Sequence, residues 1–118
     1  MRYRIGDILA CNMTLYKLLN EQKKKISIPN GFKLYQMMKI FDDVENYVFS
    51  VMSDTFGSEI NYNMLSDEQR VLYDTIMNVE VELSFEKIDA NVFENEEDSA
   101  KVTIDEIDNL QIIFKTDE

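Results

Sequence analysis

The stretch that decides the fold is Ile26 to Gly57, "ISIPNGFKLYQMMKIFDDVENYVFSVMSDTFG". Leu34, Met37, Met38, Phe41, Val44, Val48, Val51 and Met52 recur at three- and four-residue steps, the period of one helical face. Pro29, the only proline, suits a first helical position, where its missing N–H would have no partner anyway. Gly31 weakens the start slightly. Gly57 suits the stop, because glycine adopts the left-handed conformation that closes a helix. The spacing predicts one helix from about Pro29 to Phe56, longer than the usual globular helix. Tyr35, Ile40, Tyr47 and Phe49 fall outside the main stripe. A helix apolar on more than one side either lies in the middle of a small fold or offers a face to a partner. These four residues are the candidate interface in the second case.

Towards the N-terminus, "RYRIGDILACNMTLYKLLNEQKKK" reads as a short extended piece and then a helix. Asp7 suits the N-cap, because its carboxylate can accept from the first free N–H groups. Ile8, Leu15, Leu18 and Leu19, with Cys11 or Asn12 between, supply the inward face. Lys23, Lys24 and Lys25 complement the negative end of the helix dipole.

Towards the C-terminus, Ser66 and Gln69 form a capping box that opens a third helix. Its expected buried face is Val71, Leu72, Ile76 and Val79. Val79, Val81, Leu83 and Phe85 then alternate with Glu80, Glu82, Ser84 and Glu86. A period of two means a strand with one buried and one wet face. Glu94, Glu96, Glu97 and Asp98 follow in a loop kept solvated by mutual repulsion. "KVTI" is a candidate second strand. Thr103 and Glu106 form another capping box, opening a short helix with Ile107, Leu110 and Ile113 inward. "QIIFK" fits either helix or strand. The fold class read from these elements is α+β, mainly α, in a single domain over residues 1–118. It has about three helices, one long and central, a small two-stranded β element and a short C-terminal helix or strand.

Charge divides unevenly over the 118 residues. Residues 1–57 hold eight Lys/Arg and six Asp/Glu, and residues 58–118 hold four and seventeen. The formal net charge is −11, and the second half supplies all of the deficit. Phosphate binding needs cations, so direct nucleic-acid binding is not expected there, and anionic membranes are disfavoured likewise. A protein with a basic surface is the natural complement. The candidate contacts are Glu80, Glu82, Glu86, Glu94, Glu96, Glu97 and Asp98.

The residue inventory narrows the chemistry. There is no histidine and one cysteine, Cys11, so Ser-His-Asp and Cys-His triads and the usual zinc sites cannot be assembled. Cys11 reads as core packing. The glycines, Gly6, Gly31 and Gly57, form no phosphate loop. The acidic loop lacks the Asp/Asn ladder and central glycine of an EF-hand. The reading is a non-enzyme without cofactor or metal, in a reducing compartment. It carries no signal segment and no apolar run long enough to span a bilayer.

The order of "LYKLLNEQ", "IPNGFKLYQMMKIFDDVENYVFSVM", "LYDTIMNVEVELSFEKI" and "VTIDEIDNLQIIF" resembles a group of small proteins encoded by bacteriophages. The likeness spans about residues 8–114 and rests on pattern, with Asn30-Gly31 less helix-friendly than the group's usual residues. It implies an anti-CRISPR-like inhibitor that occludes a basic surface of a nuclease in the host cytoplasm. The alternative it implies is a virion or assembly component of a head, connector or tail, or an assembly chaperone. Self-association is left open.

Overall fold

The computed structural model describes residues 1–21, 26–57, 61–93 and 103–115. Strand β1 (Arg2–Arg4) leads directly into α1 (Ile5–Tyr16), which relaxes into a wider π-helical turn at Lys17–Glu21. The long helix α2 (Ile28–Phe56) follows, then a 3-10 turn at Tyr62–Met64 and α3 (Asp67–Met77). Strand β2 (Glu80–Glu82), a 3-10 turn at Ala90–Phe93, α4 (Ile104–Asn109) and a final turn at Gln111–Ile113 complete the order. Among the described residues no helix is long and apolar enough to cross a membrane.

Helix α2 is the axis of the molecule; it starts and stops where its sequence signals put it, although Gly57 takes a positive φ with ψ 176° and not the expected left-handed helical conformation. Pro29 occupies its first turn, and Gly57 closes it at φ 95°, where its N–H donates to the Ser53 carbonyl. Leu34, Met37, Phe41, Val48 and Met52 are buried along one side. Helix α1 runs antiparallel to α2: Asn12 meets Glu45, Tyr16 meets Asp42, and Leu19 shares a hollow with Tyr35 and Met38. Its N-cap is Arg4 rather than Asp7. Asp7 lies inside the first turn, where its carboxylate accepts from Arg4 Nε at 3.1 Å. The β1 strand runs straight into the helix, so the cap falls three residues early.

The sheet is antiparallel and joins Arg2–Arg4 to Glu80–Glu82, in the register Arg2↔Glu82, Tyr3↔Val81 and Arg4↔Glu80. The partner of β2 is therefore the N-terminal segment and not "KVTI". Thr103 and Ile104 of that segment form the cap and first turn of α4, and residues 101 and 102 lie outside the described set. The alternation at 79–86 holds in part. Val81, Leu83 and Phe85 turn inward and are half-buried, whereas Val79 is 46% exposed. "QIIFK" is both alternatives in succession, a 3-10 turn and then one parallel bridge from Phe114 to Ile88.

The main core gathers Ile8, Cys11 and Leu15 of α1, Leu18 of the π turn, Leu34, Met37 and Phe41 of α2, and Ile88, Leu110 and Ile113. Phe85 ties the layers together. It stacks on Tyr3 of β1 at 5.4 Å and meets Phe41 edge-on at 5.3 Å. Each fully buried large side chain of this core contributes about 1.5–3 kcal/mol. A second cluster joins Ile5, Val48 and Met52 to Tyr73, Ile76 and Met77 of α3. Gly6 lets α3 approach closely there, since a Cβ would sit 3.3 Å from the Met77 carbonyl oxygen.

Candidate protein-binding surfaces

The wet face of β2 is where the alternation pattern puts it: Glu80, Glu82 and Glu86 are all exposed. The structure adds what stands opposite. Arg4 is in register with Glu80 and Arg2 with Glu82 across the two strands. Opposite charges on directly facing residues attract at that spacing. Lys33 Nζ lies 3.1 Å from Glu86 Oε1. Of the three carboxylates Glu86 is ion-paired, while Glu80 and Glu82 have an arginine in register across the sheet, Arg4 being itself held by Asp7 and Asn78. Glu94, Glu96, Glu97 and Asp98 lie outside the described residues.

Acid with no cation standing opposite is found also on α3. That helix buries no residue fully and docks through half-buried Tyr73, Ile76 and Met77. Val71 and Leu72, expected inside, are 67% and 44% exposed. The tether to α2 and β2 turns the helix so that Asp67, Glu68, Val71 and Leu72 face outward together. Arg70, the one cation of α3, is occupied by the preceding turn. Its guanidinium donates to the carbonyls of Tyr62 (3.2 Å) and Asn63 (2.8 Å) and lies over the Tyr62 ring. Among the described residues, neither Asp67 nor Glu68 belongs to an ion pair.

The four apolar residues singled out on α2 do not form one face. At about 100° per residue, Tyr35 and Phe49 lie on one side of the helix and Ile40 and Tyr47 on another. Ile40 is half-buried against the core, and Tyr47 stands alone at 73% exposure. Ile28 (77% exposed) and Phe32 (66%) instead join Tyr35 (65%) and Phe49 (51%). The sequence reading passed over both. Their signal was the spacing Ile28, Phe32, Tyr35, masked by the proline and glycine between them.

A polar lock between α1 and α2 borders this surface. Asn12 is fully buried, and its Nδ2 donates to Asp42 Oδ1 at 2.9 Å and to Glu45 Oε2 at 2.8 Å. Its Oδ1 is buried without a hydrogen-bond partner. Tyr16 Oη donates to the other Asp42 oxygen at 2.6 Å, and that bond pushes the phenol up to about 12. Among the described residues no lysine or arginine pairs with either carboxylate. The arrangement holds a neutral amide and a phenol against two acids, which fixes the pairing of the two helices. Its sequence signal was a polar residue, Asn12, at an inward helical position.

Burial pushes the Cys11 thiol up to about 12, so at neutral pH it is a packed side chain and not a nucleophile. At α4, burial pushes the Glu106 carboxyl upward. The hydrogen bonds of its capping box with Thr103 and the nearby Lys17 reverse this, leaving it below the usual carboxylate range. Lys17 Nζ lies 3.5 Å from Glu106 Oε2, an ion pair without hydrogen-bond geometry. Among the described residues no three His, Cys, Asp or Glu side chains group as a metal site. No protein-family model, no curated protein and no solved structure matches this chain.

Proposed function

We propose that this chain acts by binding, not by catalysis, and that its partner is a protein with a basic, partly apolar surface. One observation carries the reading: α3 presents Asp67 and Glu68 beside exposed Val71 and Leu72, with its only cation occupied elsewhere. Acid and apolar groups on one rigid helical face complement an Arg/Lys-lined groove. A groove of that chemistry on a nuclease normally holds nucleic acid, so an occupant of this kind is an inhibitor that takes the place of phosphates. A role in a virion or its assembly is the second reading, favoured by the exposed apolar side of α2.

The test uses basic nucleic-acid-binding proteins as probes. Capture by the purified chain should fall as salt rises, because exposed charges are screened. It should compete with DNA and weaken in a D67N/E68Q/V71S variant of unchanged helix content. Capture indifferent to both salt and the α3 substitutions would overturn the proposal, as would turnover of a substrate.

A further inference from the structure

The outward side of α2 repeats with a period of seven. Ile28, Phe32, Tyr35, Lys39, Asp42, Asn46, Phe49 and Ser53 follow one another by alternate steps of four and three. That is the spacing of a coiled-coil seam. The buried side, Leu34, Met37, Phe41, Val44 and Val48, keeps the same rhythm around the far side of the helix. Helix α2 therefore carries two seams, of which the described chain covers one and touches the other at Asp42. Apart from half-buried Asp42, the members of the outer seam are exposed. It extends about 39 Å at 1.5 Å per residue. A shallow groove lies beside it, where Tyr16, Leu19 and Asn20 of α1 and the π turn meet Tyr35 and Asp42.

The order of residues along this seam is its own complement. Reversed about a point between Lys39 and Asp42, the seam sets Lys39 against Asp42, Phe32 against Phe49, Tyr35 against Asn46 and Ile28 against Ser53. Every pair joins an a position to a d position, as antiparallel helices require. Four of the eight positions are polar, and the register accounts for the central two, Lys39 and Asp42. Asp42 already accepts from Asn12 and Tyr16 but has no cation among the described residues, so Lys39 of the other copy would add to that lock, meet it twice across a two-fold axis and fix the register, the role that polar seam residues play. Net charge does not oppose the contact. Residues 1–57, which carry the seam, hold eight Lys/Arg and six Asp/Glu, and the acid lies in the other half.

We propose that two copies of this chain pair through the outer seams of α2, antiparallel, about a two-fold axis between Lys39 and Asp42. This is independent of the α3 face, which stays outside the contact. A C2 pairing uses each seam residue twice, so single substitutions act twice.

Sedimentation equilibrium of the full chain tests the proposal. A dimer is expected, and F32K and F49E should each weaken it at least about a hundredfold, since each exposes or charges two buried rings. An equimolar mixture of the two variants should dimerise again, because Lys then faces Glu across the axis. Y47S, off the seam, should leave the dimer intact. Circular dichroism establishes that each variant is folded. A monomeric parent chain would overturn the proposal. So would a dimer indifferent to F32K, or failure of the mixture to recover, which would place the rings in a parallel or different contact. Loss of the dimer in F32K with basic-protein capture retained would separate this surface from the α3 face.

Discussion

Asn12→Asp is the sharpest perturbation of the α1–α2 lock. The substitution keeps shape and replaces a donor with an acceptor. The native amide makes two charge-assisted bonds, at 2.9 and 2.8 Å, to Asp42 and Glu45. Bonds to charged groups are worth about 1.5–3 kcal/mol each. In the variant a third carboxylate faces those two, within a fully buried site. Burial and like charge both raise the pKa of the introduced group. A rise of about 3 units corresponds to about 4 kcal/mol at pH 7. The sign follows from linkage. The folded-state pKa of the introduced acid lies above its unfolded value of about 3.9, so the penalty is absent below about pH 4. It grows as pH rises towards the folded value, near 7, and is constant above it. Urea denaturation of parent and variant at about pH 4.5, 6 and 8 reads this directly, provided that the slopes agree. Asn12→Leu is the comparison. It also loses both bonds but removes the unpartnered Oδ1, so its deficit should be smaller and flat with pH. A variant within about 0.5 kcal/mol of the parent at pH 8, or a deficit equal at all three pH values, would refute the geometry of the lock.

Other outcomes follow from single groups. Cys11, buried and with its thiol raised to about 12, should react with a thiol reagent only at the rate of unfolding, and mild denaturant should accelerate labelling sharply. Tyr16 should titrate near 12 by ultraviolet absorbance, because the neutral phenol is held by Asp42. Its contribution is present below about pH 10 and lost as pH rises through 12. The ring is 38% exposed, so Tyr16→Phe should cost less than about 1 kcal/mol. Glu106, with a lowered pKa, contributes stability that is present above the usual glutamate value and lost as pH falls through its folded value. Glu106→Gln should cost about 1 kcal/mol at pH 7 and nothing at low pH, read by urea melts. Gly57→Ala, at φ 95°, should destabilise by about 1 kcal/mol in thermal melts with no change in contacts.

Much of the fold is local, and local features are legible. Pro29 and Gly57 bracket α2, and both capping boxes, Ser66 with Gln69 and Thr103 with Glu106, form as their spacing requires. What pairs with what was not legible. The alternation at 79–86 identifies a strand but is silent about its neighbour, and the three-residue β1 is too short to show a period. The same gap hid what stands opposite the exposed acids of β2. Glu80 and Glu82 look isolated along the chain, and only the register shows that Arg4 and Arg2 stand opposite them. Helix α3 shows the opposite failure. Val71 and Leu72 carry the right period for a core face, yet of the expected face tertiary packing kept Ile76, joined by the flanking Tyr73 and Met77. The outer seam of α2 was half visible, through Tyr35 and Phe49, and helical geometry separates these from Ile40 and Tyr47.

The pairing of β1 with β2 also sets the order in which the chain can be completed during synthesis. Helices α1 and α2 meet through short-range links and can close as a hairpin once residue 56 is free. Arg4 must wait for Asn78, 74 positions later, before its guanidinium finds that side chain. At about 5–20 residues per second, the sheet lags the hairpin by one to several seconds on the ribosome. During that interval Tyr3 lacks Phe85, its stacking partner. Until then the Arg2–Arg4 strand has an unpaired edge, open to a chaperone or a protease.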